Sequence, residues 1–387
     1  MSDPIPLSAP YISGNEWKYV KECLDTDWVS SGGRFVGEFE RRIAEYTGAK
    51  FAVACVNGTS ALHISLILAG VKPNDEVIVP TITFIAPINA VRYCGAFPVF
   101  MDSDQYYNID VEKTIEFILN DTQVENGESY STHTGRRVSA VIPVHVFGNA
   151  VRLDELQRIC MERNIKLIED ATESLGTKYI EGAFASRHAG TIGELGCLSF
   201  NGNKIITTGG GGMILTDNEK LARRAKYLTT QAKDDEVRYV HGDVGYNYRL
   251  TNIQAAVGVA QLERLPEFLK TKKDNYCSYE AEVNKIPGLK LAPVPEYADN
   301  NYWMYALRID RQTYGKGPEE LMLTLTSHRI ESRPLWYLNH MQGPFKGSQT
   351  YRIEMAPRLL DETLNIPCSV ALQEKDITKV VEVLHHG

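Results

Sequence analysis

The residues best suited to chemistry lie in one run, Ser199-Phe200-Asn201-Gly202-Asn203-Lys204-Ile205-Ile206-Thr207-Thr208, which closes on four consecutive glycines, Gly209 to Gly212. It starts at the end of the apolar run Leu195 to Phe200 and leads into a second strand-like run, Met213 to Thr216. Glycine loses the most backbone entropy on ordering, so such a tract points to a tight turn or a close approach of two backbones. A lysine on that turn can be desolvated enough to act as an amine nucleophile and form a Schiff base with a carbonyl. The other reading of Lys204 is a solvated side chain at a loop edge, the usual fate of lysine. Two more groups have chemical potential. In Asn57-Gly58-Thr59-Ser60, Gly58 permits a turn, and Thr59 and Ser60 offer hydroxyls and N–H groups at a helix start. That arrangement binds phosphate, although a serine or threonine there also serves as a plain N-cap. Asp170, in Glu169-Asp170-Ala171-Thr172-Glu173, ends an apolar run and could either cap the next turn or present a carboxylate to a ligand.

These residues need a scaffold, and the hydrophobic rhythm describes one. Residues 14–28 have Trp17, Val20, Leu24 and Trp28 spaced for one helical face, expected to be core. A second helix is predicted from Phe35 to Thr47 on Phe35, Phe39, Ile43 and Tyr46. Short apolar runs follow at 51–56, 76–80, 98–101, 138–144 and 165–169, separated by helical segments that include 151–164. Continuous rather than alternating apolar strands are the mark of a parallel sheet buried on both faces, hence an α/β fold. Ligands bind beyond the carboxyl ends of such strands, which is where Asp170 falls. Residues 121–137 are polar and read as a surface excursion. A long helix begins at Thr251 and continues past Pro266 towards Lys285, and residues 289–387 form a smaller α+β unit. The division expected is a large domain over 1–255 and a small C-terminal domain over 256–387.

Bulk properties exclude several classes. The chain has 387 residues, a net charge of -8, 43% hydrophobic and 23% charged residues, the profile of an ordinary globular protein without a nucleic-acid surface. No apolar run reaches the length of a membrane span and the N-terminus lacks signal-peptide character, so a cytoplasmic setting is expected. The seven cysteines are scattered, with no CxxC pair and no metal spacing, so no metal is expected. No GxGxxG follows the first strand, which removes a nucleotide-binding dehydrogenase.

Taken in order, Gly58-Thr59-Ser60-Ala61-Leu62, Thr83-Phe84, Glu169-Asp170-Ala171, Ser199-Phe200 with Lys204 and the glycines, and Gly245-Tyr246-Asn247-Tyr248-Arg249-Leu250-Thr251 resemble the DegT/DnrJ/EryC1/StrS family of nucleotide-sugar aminotransferases. The resemblance covers nearly the whole chain. It implies the aspartate aminotransferase fold (fold type I): a large, mostly parallel mixed sheet with helices on both faces, and a smaller α+β C-terminal domain. It also implies pyridoxal 5′-phosphate as cofactor, passing through pyridoxamine 5′-phosphate between two half-reactions. By the resemblance Lys204 is the lysine that links to the cofactor and shuttles protons, and Asp170 pairs with the pyridine nitrogen and keeps it protonated. Phe84 stacks on the ring, while Thr59, Ser60 and Ser199 hold the phosphate. Asn247 reaches the phosphate of the neighbouring subunit, implying a homodimer with shared active sites. Arg333, Trp336 and His340 are expected substrate contacts, against the plainer roles of surface salt bridge, interface aromatic and exposed histidine.

Two departures from the family pattern stand out. Members commonly carry Gln or His three residues after the aspartate, near the ring hydroxyl or the substrate. Here it is Glu173, which cannot donate the same hydrogen bond unless protonated. The perosamine synthase branch usually has Lys-Pro after the tryptophan, where this chain has Tyr337-Leu338. The expected activity is transfer of an amino group, from L-glutamate, to C4 of a nucleotide-linked 4-keto-6-deoxy sugar. The acceptor expected is UDP-4-keto-6-deoxy-N-acetylglucosamine, as in legionaminic acid and bacillosamine pathways, with a GDP-perosamine-type acceptor as alternative. The family's sugar dehydratases replace the lysine with histidine, which speaks against that variant. A catalytically dead scaffold would have no reason to keep Lys204, Asp170, Phe84 and Ser199 together.

Overall fold

A computed structural model describes residues 3–235 and 237–386. Its centre is a sheet of eight strands. Seven come from the first part of the chain: β1 (Phe51–Cys55), β2 (Glu76–Pro80), β3 (Phe97–Met101), β4 (Val138–Val141), β5 (Lys166–Asp170), β6 (Leu195–Ser199) and β7 (Gly212–Thr216). Their spatial order is β1-β7-β6-β5-β4-β2-β3, with the strand Thr350–Tyr351 added beside β3. The ladders β6-β5, β5-β4, β4-β2, β2-β3 and β3 with Thr350–Tyr351 are parallel, whereas β7 runs antiparallel to both β1 and β6. The expected mixed, mostly parallel sheet is therefore borne out.

Both faces are buried because successive side chains alternate between them. On β2, Val77 and Val79 pack with the helices Gly58–Leu68 and Ala86–Tyr93, while Ile78 packs under Val111–Asn120 and Asp154–Glu162. The four glycines do both things expected of them. Gly209 takes a left-handed φ of 77° in the turn, and a Cβ on Gly212 would collide with the carbonyl of Asn57. This close approach brings the start of β7 against the Asn57–Gly58 turn.

The smaller unit is an antiparallel sheet of Leu289–Leu291, Tyr305–Ile309, Thr363–Ile366 and Arg333–Pro334, covered by the helices Pro318–Ser327 and Glu374–His386. The helix Asn252–Val283 joins the two units. It opens with a capping box between Thr251 and Gln254 and runs on through Pro266. Ala255, Ala256, Val259 and Phe268 pack under the large sheet, whereas Tyr276, Tyr279 and Val283 belong to the second core. Positions 255 and 256 thus lie within this helix, on the side facing the large sheet.

Several local expectations need correction. In the helix Glu16–Asp25 only Glu16 and Cys23 are buried, so Trp17, at 78% exposure, and Leu24 are not core. The helix packs on Asn252–Val283 through its other face, leaving the tryptophan stripe outside. Residues 121–137 are not a plain loop: Thr122–Glu125 and Glu128–Ser131 pair as a hairpin across Asn126-Gly127, both with positive φ. Asn-Gly is the sequence that such two-residue turns favour. The strand expected over 138–144 ends its regular ladder at Val141.

Candidate active site

The carboxyl ends of β5 and β6, the turn after β1 and the segment after β6 converge on a cavity of about 680 Å³. Its lining includes Thr59, Phe84, Asp170, Glu173, Ser199, Lys204, Arg333 and Trp336, so eight of the expected site residues are brought together from across the chain. Ser60, Asn247 and His340 are outside this lining. Ser60 is buried in the first turn of the helix Gly58–Leu68, where its N–H donates to the Asn57 side chain at 2.7 Å. Asn247 is exposed and accepts weakly from Arg249, 3.4 Å away. The His340 Nδ1 sits 2.7 Å from Thr81 Oγ1, under the loop that carries Phe84, so within its own chain it supports the site from behind.

Each residue has a local reason for its place. At the end of β5 the side chains of Glu169 and Asp170 point to opposite faces. Glu169 turns inward, fully buried, with the His145 Nε2 at 2.9 Å and N–H groups donated by Gly190 (2.8 Å) and Gly193 (2.6 Å). The Val151 N–H donates to His145 Nδ1 at 3.0 Å, so Nε2 carries the proton of a neutral imidazole and donates it to Glu169. This pair anchors β5. Asp170 faces the cavity instead and accepts from the Thr172 N–H at 3.1 Å. Burial pushes its pKa up, against the Thr172 hydrogen bonds and the Lys204 charge.

Lys204 lies in a short irregular segment tied down at both ends. The Phe200 N–H donates to Gly211 at 2.9 Å, the Thr208 N–H to Phe200 at 2.9 Å, and the Lys204 N–H to Asn201 at 3.1 Å. The Trp303 indole N–H donates to the Asn203 carbonyl at 2.7 Å. The Lys204 ammonium rests 4.0 Å from the centre of the Trp303 ring and 3.6 Å from Glu173 Oε1, with its side chain 12% exposed. Lys204 is therefore not the solvated loop lysine of the plainer reading. Glu173 is buried, and its carboxyl is pushed up to about 7, first by burial and then by Asp170, against the Lys204 charge and the Phe147 N–H.

Phe84 leaves 55% of its surface exposed at the cavity, a large apolar face open to a ligand. Asn339 fixes the loop before it, donating to Thr81 (3.2 Å) and Thr83 (2.7 Å). At the opposite wall, a Cβ on Gly58 would sit 2.9 Å from the Ser199 Cβ, so only glycine lets this turn approach Ser199. Sequence reasoning missed Trp303, Phe147 and Asn301. Phe147 packs against Trp336 with ring centres 5.2 Å apart and planes tilted by 33°, and Asn301 donates to the carbonyls of Glu173 (2.8 Å) and Leu175 (3.0 Å). The one signal for them was the polar Asn300-Asn301 pair before the apolar run at Trp303. Among the described residues no cluster of three or more His, Cys, Asp or Glu could hold a metal ion, and no helix is long and apolar enough to cross a membrane.

Residues 10–385 match the profile of the DegT/DnrJ/EryC1/StrS aminotransferase family. The chain belongs to that family. It is 38% identical over 382 residues to the GDP-perosamine synthase of Caulobacter vibrioides, covering 98% of this chain and 97% of that one. It is 33% identical over 382 residues to the GDP-perosamine synthase of Escherichia coli O157:H7, covering 98% of each. Among solved structures it superposes on DesI, crystallised with its TDP-sugar product, with a TM-score of 0.87 at 27% identity, covering 100% of this chain and 93% of DesI. As a DegT/DnrJ/EryC1/StrS protein it is a pyridoxal-phosphate-dependent aminotransferase of fold type I.

The cavity fits that cofactor. The N-terminus of the helix Gly58–Leu68 meets Ser199 across a glycine-only gap, a place suited to a phosphate. An exposed aromatic face, a buried amine and a buried carboxylate share the same cavity. Burial disfavours the charged form of Asp170, and a cationic ring nitrogen is the kind of partner that restores it.

Proposed function

We propose that this enzyme transfers an amino group from an amino acid, L-glutamate, to C4 of a nucleotide-linked 4-keto-6-deoxy sugar. The observation that supports it is the shared cavity of Lys204, Asp170, Phe84, Ser199 and the Gly58 turn in a chain of this family. When bound, pyridoxal phosphate supplies an aldehyde that exchanges amines and a ring that accepts an electron pair. The protein's own residues do the rest. Lys204 holds the aldehyde carbon and moves a proton at the carbon that changes its amine. Asp170 keeps the ring nitrogen protonated, and Phe84 covers one ring face. Thr59 and Ser199 hold the phosphate at the start of the helix Gly58–Leu68, whose first turn Ser60 steadies through its N–H to Asn57. Asn247, exposed on its own chain, serves the phosphate of a second subunit, and Arg333 and Trp336 contact the acceptor.

For the acceptor, two relatives named GDP-perosamine synthase favour a GDP-linked sugar over the UDP-linked one. The UDP-4-keto-6-deoxy-N-acetylglucosamine reading rests on Tyr337-Leu338 in place of Lys-Pro after Trp336, together with the run Asn201-Gly202-Asn203-Lys204-Ile205-Ile206-Thr207-Thr208. Incubating the purified protein with glutamate and separate GDP-, UDP- and dTDP-4-keto-6-deoxy sugars, then weighing the products, decides between them. The expected result is a GDP-sugar carrying one new amine. An aminated UDP-sugar alone would reverse the order, and no amination of any of the three would remove the sugar acceptor altogether.

A further inference from the structure

Glu173 is built into the site with more care than a filler residue needs. Its Oε2 accepts the Phe147 N–H at 2.9 Å, and Phe147 holds a left-handed φ of 58° to aim that N–H. Such a conformation is costly for a large side chain and clusters at functional sites. The next residue, Gly148, has no room for a Cβ, which would strike the Asn301 side chain. Asn301 in turn grips the Glu173 carbonyl at 2.8 Å. These contacts fix the carboxylate so that Oε1 faces the Lys204 ammonium at 3.6 Å, while the Trp303 ring receives the same ammonium at 4.0 Å. An aromatic face attracts an ammonium without competing for its proton.

We propose that Glu173 is the proton partner of Lys204, accepting a proton from its ammonium and returning it, with Trp303 as the resting face for the ammonium. This rests on the assignment of Lys204 as the amine that bonds the cofactor. The step is a proton transfer only: ammonium and carboxylate become amine and carboxylic acid, and the reverse restores them. One side-chain rotation of Lys204, or one water, closes the 3.6 Å gap to hydrogen-bond distance. The charged or titratable groups around Glu173 are Lys204, Asp170 at the end of β5, and Arg333, which lines the same cavity from the small sheet. Phe147, Asn301 and Trp303 bring no charge. With its carboxyl near 7, Glu173 changes ionisation in the range where the enzyme is expected to work, and an amide at the same place could not.

The test compares wild type, Glu173→Gln and Glu173→Asp as holoenzymes, reading two quantities. The first is the cofactor's borohydride-fixed attachment, located by peptide mass. The second is the single-turnover rate with glutamate between pH 5.5 and 8.5, a span of about 1.5 units on either side of the expected titration. The expected result is attachment at Lys204 in all three, with a wild-type rate that rises through about pH 7. Glu173→Gln loses that rise and runs at least about tenfold slower, as for the loss of a proton-transfer partner. Glu173→Asp keeps the rise at reduced rate. If attachment is at Lys204 but Glu173→Gln keeps the wild-type profile within twofold, the proton partnership is overturned and the cofactor assignment stands. If wild type shows no attachment at Lys204, the assignment itself has failed and the partnership with it. Should Glu173→Gln not fold, Glu173→Asp decides: a profile without the rise, or a rate equal to wild type, overturns the proposal.

Discussion

Lys204 and Asp170 make separable contributions, and substitution should show it. Lys204 sits on an irregular segment held by backbone hydrogen bonds, so Lys204→Ala is expected to fold. It should lose the yellow, borohydride-reducible cofactor linkage, and a reducible linkage found on another lysine would sink the assignment. Asp170→Asn should still bind cofactor, because the phosphate turn and Phe84 are untouched. Its half-reaction with glutamate should slow by tens- to hundreds-fold, since losing one buried charge partner costs about 2–3 kcal/mol. Stopped-flow rates within a factor of two of wild type would reduce Asp170 to a turn residue. At this scale the sequence was informative wherever a residue sits in an ordered motif, as Gly58-Thr59, Asp170 and Lys204 do. Trp303 and Asn301 were not legible, because nearly 100 residues separate them from Lys204 and only the folded helix Asn252–Val283 brings them back.

The elements carry a pH dependence of their own. His188 is buried beyond the end of β5, accepting the Gly176 N–H at Nε2 (2.7 Å) with Nδ1 2.6 Å from the Ala189 carbonyl. Burial lowers its pKa from 6.5 to about 4. Between those values the unfolded chain binds a proton that the folded chain refuses, so stability falls as pH drops through about 6.5 and the loss is complete near 4. The full loss is about 3 kcal/mol by linkage. Thermal melts from pH 7.5 to 4.5 should show this decline in wild type and a shallower one in His188→Gln. Equal slopes would assign the acid sensitivity elsewhere. Element type was readable wherever burial follows sequence period, as in β2, β5 and the helix Arg34–Thr47, whose Phe35, Phe39 and Ile43 are core. It misled for Glu16–Asp25, where a well-spaced tryptophan stripe faces outward, because periodicity tells which residues share a face but not which face is covered.

The whole molecule raises the question of how many chains make a site. If Asn247 serves a second subunit, Lys204→Ala and Asn247→Asp should each be inactive alone. The aspartate would set a negative charge beside the phosphate in a poorly solvated place, a repulsion of several kcal/mol. In a mixed dimer one site carries both lesions and the other carries neither. Activity should therefore return on co-expression in proportion to the mixed dimer, which differently tagged subunits allow to be isolated. Mixed dimers that stay at background would place Asn247 in its own chain's service and leave the lysine chemistry intact.

The strand Thr350–Tyr351 has a consequence for biosynthesis. Its neighbour β3 ends at Met101, so about 250 residues must be translated before the edge of the central sheet is closed. At roughly 5–20 residues per second that interval is on the order of ten to fifty seconds. Throughout it a nascent chain carries the apolar strand β3 as an edge with unpaired N–H and C=O groups, the template on which other chains add. The central sheet thus leaves the ribosome well before the strand that closes this edge, and the time between the two events is a window in which chaperones can guard the growing chain.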